Sequence, residues 1–81
     1  DPARERLIFL LNLIASSELD GAEYYWKRGA YVAALNRANY VLKNIPNSTE
    51  NYRALKIMKD AYEKLGYPEY AEKIIELQEV N

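Results

Sequence analysis

The chain has 81 residues, 49% of them hydrophobic and 28% charged, with a formal net charge of -1 and neither cysteine nor histidine. A globule this small buries only about 60 to 65% of the surface its unfolded chain exposes, which leaves little room for a secluded catalytic chamber. Without thiols or imidazoles there are no disulfides, no thiolate nucleophiles and few ways to hold zinc, and the commonest general base is missing. No enzymatic activity, cofactor or metal is expected.

Asp1 can cap a helix and Pro2 can occupy its first turn, where a missing N–H costs nothing. The apolar run Leu7, Ile8, Leu10, Leu11, Leu13 and Ile14 follows, interrupted by Asn12. It is too short for a bilayer, which needs about 20 residues, and the SSELDG after it is a poor signal-cleavage site. From Ala3 to Arg28 the only interruption is Asp20-Gly21, and one glycine costs about 1 kcal/mol in a helix. The spacing predicts one long helix, with Gly21 as the place for a bend and Gly29 as its C-cap.

Val32, Leu35, Ala38, Val41, Leu42 and Ile45 keep helical spacing up to Pro46, giving a second helix. Asn47-Ser48-Thr49-Glu50 reads as a capping box that starts a third, whose apolar set is Ala54, Leu55, Ile57, Met58, Ala61, Tyr62 and Leu65. Gly66 closes it, Pro68 opens a fourth, and Ala71, Ile74, Ile75 and Leu77 form that helix's inner stripe. No stretch alternates with period two long enough to be a strand. The fold class is all-α, with about four helices, the first one long.

The punctuation repeats. Gly29 and Ala34 recur as Gly66 and Ala71, each pair 37 positions apart. A glycine closing one helix, an alanine five residues later and Pro46 twelve after that resemble the second half of a tetratricopeptide repeat. The glycine permits the tight turn, and the alanine lets antiparallel helices approach closely. Lys59 stands where that consensus prefers a small residue, and the second copy has no closing proline. The reading is a single domain, residues 1–81. Residues 1–46 hold the long helix and its partner, a first repeat with an N-terminal helical extension, and 47–81 form a second repeat. Between Leu7 and Ile14 the extension is apolar on nearly every side, as in a helix covered all round. The chain is therefore expected to be a fragment of a longer right-handed solenoid, or to form a homodimer through Leu7 to Ile14.

Charge is uneven. Residues 1–23 carry two basic and five acidic side chains, residues 24–59 seven and one, and residues 60–81 two and six. The middle segment, at +6, can serve an acidic partner or pair with the acidic flanks.

The run AEYYWKRGAYVAALNRANYVLKNIPNS, followed by RALKIMKDAYEKLGYPEYAEKI, resembles the C-terminal part of the BamD-type tetratricopeptide lipoproteins of the bacterial outer-membrane β-barrel assembly machinery. RLIFLLNLIA is similar to the long helix that leads into that family's fourth repeat. The most specific piece is AEYYxxRGAYVAALNR, because a generic repeat does not require Tyr24, Tyr25, Arg28 or Asn36-Arg37. The resemblance implies repeats four and five of a protein on the periplasmic face of the outer membrane. The family's lipid-bearing cysteine and first three repeats are not in this sequence, so membrane attachment would come only through an anchor this chain lacks. It also implies docking to the last POTRA domain of the barrel-forming subunit and to accessory lipoproteins, with Arg37 at the POTRA contact.

Read without the family, Asn36, Arg37 and Tyr40 point away from the stripe Ala34, Leu35, Ala38, Val41 and Leu42, and arginine and tyrosine are frequent interface anchors. Tyr24, Tyr25, Trp26, Lys27, Arg28 and Tyr31 mix aromatics with cations, a pattern that can stack on bases. With a negative total and no nucleic-acid motif, core packing with polar tips is the better reading, and no nucleic acid is expected. Trp26 and Lys27 lie near a repeat's concave groove and are candidate peptide contacts, and Arg28 is a further candidate partner residue. Glu18, Asp20 and Glu23 read as a solvated face. Lys59 with Glu63 and Asp60 with Lys64 are expected i,i+4 pairs. Two other functions compete with the assembly scaffold: a generic, co-chaperone-like peptide-binding repeat module, and a self-associating structural fragment.

Overall fold

Four helices form, α1 (Pro2–Lys27), α2 (Tyr31–Asn44), α3 (Asn51–Leu65) and α4 (Pro68–Val80), in a computed structural model that describes residues 1–80. Asn81, the last residue of the expected second repeat, lies outside the described residues. No strand occurs among the described residues, in accord with the all-α reading. Asp1 caps α1 by accepting from the Ala3 N–H at 3.1 Å, and the helix continues unbroken through Gly21.

The two expected glycine stops are the only residues with positive φ among the described residues, Gly29 at 82° and Gly66 at 86°. Both close a helix in the same way. The Ala30 N–H reaches back to the Tyr25 carbonyl at 2.9 Å and the Gly29 N–H to that of Trp26 at 3.0 Å. In the second copy the Tyr67 N–H reaches Tyr62 at 2.9 Å and the Gly66 N–H reaches Glu63 at 3.2 Å. This is the Schellman pattern, which needs a left-handed residue after the last turn. The 37-residue period of the sequence is therefore repeated bond for bond.

The start of α3 differs from expectation. The helix begins at Asn51, not within the expected capping box, and Glu50 at the N-cap position makes no side-chain capping bond. The Ser48 hydroxyl instead accepts from the Glu50 N–H at 2.9 Å, and Asn51 Nδ2 donates to the Pro46 carbonyl. Asn12, which interrupts the apolar run of α1, accepts from the Thr49 N–H at 3.1 Å. Local side-chain bonds and a tie to another helix thus hold residues 46–50 in a turn that competes with the helix.

The core is built on alanine. Ala15, Leu19 and Ala22 of α1 meet Ala34, Ala38 and Val41 of α2, which also packs on Ala54, Leu55 and Met58 of α3. Among the described residues only Leu19 and Val41 are large side chains sealed completely. Methyl-sized contacts let the helices approach closely, and the molecule is a thin slab of 45 × 29 × 14 Å. That thickness suits two layers of helices with axes about 8–10 Å apart. α2 lies against α1 and α3, and among the described residues α4 packs only on α3.

Two residues of the expected inner stripes are outside. Val32 is 55% exposed, because it stands two positions from buried Ala34 and so on the opposite side of α2. Leu77 is 50% exposed, because no helix among the described residues covers the outer side of α4. Leu35, Leu42 and Ile75 are half-buried. The apolar half of α1 is also open, with Phe9 the most exposed at 62%.

Candidate functional site

Residues three or four apart in a helix share a side, and Glu18, Gly21 and Tyr25 form such a row on α1, continued by Arg28 at its C-cap. Arg37 of α2 lies across it. Its Nη1 is 3.4 Å from Glu18 Oε2, its guanidinium sits 4.9 Å above the centre of the Tyr25 ring, and its Cδ and Nη1 come closest to Gly21. Glycine at position 21 leaves the space this side chain uses. Tyr25 in turn meets Tyr24 edge to face at 5.5 Å. Arg28 stacks on Tyr24 at 5.2 Å and donates from Nη1 to its hydroxyl at 3.1 Å.

The result is a continuous strip, Arg37–Tyr25–Tyr24–Arg28, with an arginine at each end. The Arg37 side chain keeps 41% of its surface. A guanidinium has five N–H donors, and the contact to Glu18 occupies one nitrogen. The others remain for a carboxylate presented from outside. Tyr24 is exposed, not packed in the core as its aromatic character suggested, and Tyr25 is half-buried. Glu18 and both tyrosines belong to the strip although the sequence reading left them out of the candidate set. Their signals were the i,i+4 spacing of Tyr24 and Arg28 and the row from Glu18 to Arg28.

The other candidates stand elsewhere. Asn36 and Tyr40, one turn apart, are exposed on the outer side of α2 next to Arg37, where the Tyr40 carbonyl accepts from Asn44 at 2.9 Å. Trp26 and Lys27 lie across α1 from the strip, in a cleft of about 310 Å³ shared with α3. The six sequence candidates therefore fall on two surfaces.

Electrostatically, much of the middle segment pairs with its acidic flanks. Arg53 of α3 binds Asp20 at 2.6 Å and Glu23 at 2.8 Å on α1, and Glu50 at 3.6 Å. The bond from Arg53 holds the Glu23 carboxyl below its ordinary value, and Glu23 with Asp20 raises the Arg53 guanidinium. Glu18, Asp20 and Glu23 are thus engaged by arginines and are not a free solvated face. Lys59 reaches Glu63 at 3.8 Å as expected. Asp60, however, pairs with Lys59 at 3.5 Å, while Lys64 extends over the Trp26 ring at 6.0 Å.

Among the described residues no group of three or more histidine, cysteine, aspartate or glutamate side chains is placed to hold a metal, and no helix is long and apolar enough to cross a membrane. Paired helices repeated at a fixed offset define a tetratricopeptide-like fold. The chain matches the YfiO family, described as outer membrane lipoprotein, over residues 1–77, and it belongs to that family. It is 39% identical over 69 residues to the outer membrane protein assembly factor BamD of Neisseria meningitidis, covering 85% of this chain and 26% of that protein. Identity is 31% over 81 residues to BamD of Vibrio cholerae, covering the whole chain and 34% of the relative. To BamD of Haemophilus influenzae it is 39% over 64 residues, 79% of the chain and 24% of the relative. The chain thus spans a quarter to a third of the length of these relatives.

Proposed function

We propose that the chain is a protein-binding scaffold, not an enzyme, in outer-membrane protein assembly at the periplasmic face of the outer membrane. It docks the POTRA region of the barrel-forming subunit, and accessory lipoproteins, as the last two repeats of a longer solenoid. Membership of the family and the names of the BamD relatives support this reading. The observation that supports it is the Arg37 side chain, which keeps 41% of its surface while it is braced by Glu18 and Tyr25. A braced arginine loses little freedom when it grips a partner carboxylate in two places. Asn36 and Tyr40 extend the contact on one side, and Tyr24 with Arg28 extends it on the other.

The test is calorimetric titration with the cognate POTRA domain. Arg37→Glu is expected to weaken binding by tenfold or more, about 1.4 kcal/mol or above. Arg37→Lys keeps the charge but not the fork, and falls between. Unchanged affinity for Arg37→Glu would reject the assignment.

A further inference from the structure

The outer side of α4 carries two parallel rows that nothing among the described residues covers, since α4 packs only on α3. One row is apolar and begins in the turn before the helix. Tyr67, Tyr70 and Leu77 each keep about half of their surface. Tyr70 stands between Tyr62, at 5.4 Å, and Tyr67, at 5.6 Å, and Tyr62 is packed against the core. The tyrosines are held in place before anything binds, and side chains already ordered lose little freedom in an interface.

The second row is acidic. Glu69, Glu72, Glu76 and Glu79 fall three or four positions apart, on one line of the helix about 15 Å long, and all four are exposed. None of them makes an ion pair among the described residues. Lys73, the single cation of α4, lies between the two rows and does not cancel four carboxylates.

This row works against the helix that carries it. Glu69 lies in the first turn, where a negative charge suits the helix dipole, but Glu76 and Glu79 lie toward the other end, where it does not. Glu72 and Glu76 are also like charges at i,i+4. The last turns of α1, α2 and α3 hold Lys27, Lys43 and Lys64, and that of α4 has no basic residue. A local rule broken without a gain inside the chain points to a gain outside it.

The two rows specify their occupant. Unpaired carboxylates beside aromatic faces attract cations, and a tyrosine face holds a guanidinium well. The phosphates of a nucleic acid or of a membrane surface are repelled. Both rows run along the helix axis, which a second helix laid beside α4 matches turn for turn.

We propose that the outer side of α4 docks a basic amphipathic helix of a partner protein, its arginines and lysines along the four glutamates and its apolar side against Tyr67, Tyr70 and Leu77. The charge sense is opposite to that of the Arg37 strip, which lies on α1 and α2 and takes an acidic group. The two surfaces share no residue, and this one stands whether or not the strip docks POTRA.

The probe is a fluorescein-labelled helical peptide with a row of arginine and lysine beside a row of leucine, titrated with the 81-residue chain and followed by anisotropy. The control is a scrambled peptide of the same composition, which has the charge but no rows. The patterned peptide should bind saturably and at least tenfold more tightly than the scrambled one. Glu72→Gln combined with Glu76→Gln should weaken binding about three- to tenfold. The same double variant should raise the thermal midpoint of the free chain, because its helix loses a like-charge pair. Tyr70→Ala should weaken binding about three- to tenfold at unchanged helical circular dichroism. Arg37→Glu should leave it unaltered. Equal binding of the patterned and scrambled peptides, a double glutamate variant that binds as the parent does or melts lower, or an equal loss with Arg37→Glu would overturn the proposal.

Discussion

The side chain of Arg37 lies across Gly21, with its Cδ and its Nη1 each 3.5 Å from the position a β-carbon on residue 21 would take. That distance is ordinary contact for a methyl group and too short for a longer side chain. Gly21→Ala should therefore stabilise the chain by up to about 1 kcal/mol, because alanine is the better helix former and nothing must move. In urea denaturation the midpoint rises and the slope stays the same. Gly21→Leu should instead drive Arg37 off Glu18 and Tyr25, keep the helical circular dichroism and weaken POTRA binding. If Gly21→Leu bound as tightly as the parent chain, Arg37 would not need its present seat.

The Arg37–Tyr25 stack is separable from the Arg37–Glu18 pair. A double-mutant cycle with Arg37→Gln and Tyr25→Leu should give a coupling of about 0.5–1 kcal/mol, the range for a partly exposed cation on an aromatic face. Glu18→Gln should cost less than about 1 kcal/mol, because both partners remain in contact with water. Coupling indistinguishable from zero in the first cycle would mean that the stacked geometry contributes nothing.

Helix identity and helix ends at glycine were legible because both are local. A left-handed position selects glycine wherever the chain goes next, so Gly29 and Gly66 marked their caps and their spacing marked the repeat. The turn before α3 was not legible in the same way, since Asn12 holds Thr49 from another helix and no local pattern carries that bond. Val32 and Leu77 were misplaced for a related reason. Apolar spacing says that a face can be buried, and only the neighbouring helices decide whether it is. In the candidate site, residue types pointed to Arg37 and Arg28, but Glu18 is 19 positions from Arg37 and the strip appears only once α2 lies on α1.

Arg53 is the hub of the α1–α3 contact, and its loss leaves three carboxylates facing one another. Arg53→Gln should destabilise the chain by about 1–2 kcal/mol, more than a lone exposed pair contributes, with the loss reduced in high salt. The sign with pH follows from Glu23. Its folded carboxyl titrates below the ordinary glutamate value, so this contribution is present above about pH 4.3 and is lost as the pH falls further, through the folded value. Urea titrations at stepped pH should show stability dropping across that acid window, with a shallower drop in Glu23→Gln. An equally steep drop in Glu23→Gln would assign the acid sensitivity to other groups.

The open side of α1 makes a prediction about the chain on its own. Leu7, Leu10 and Ile14 form one helical row, and Phe9 with Leu13 forms the next, and all five are exposed, so the two rows make one open apolar surface. Continuous patches of this kind are rare on monomers and mark contact surfaces. In isolation the chain should therefore self-associate through this face as concentration rises, because pairing removes the apolar surface from water. Phe9→Glu combined with Leu13→Glu should return it to a 9.4 kDa monomer by sedimentation velocity. Helical circular dichroism should hardly change, since both side chains lie outside the core formed by Ala15, Leu19 and Ala22. A parent chain that stays monomeric at high concentration would show that water alone can cover this surface.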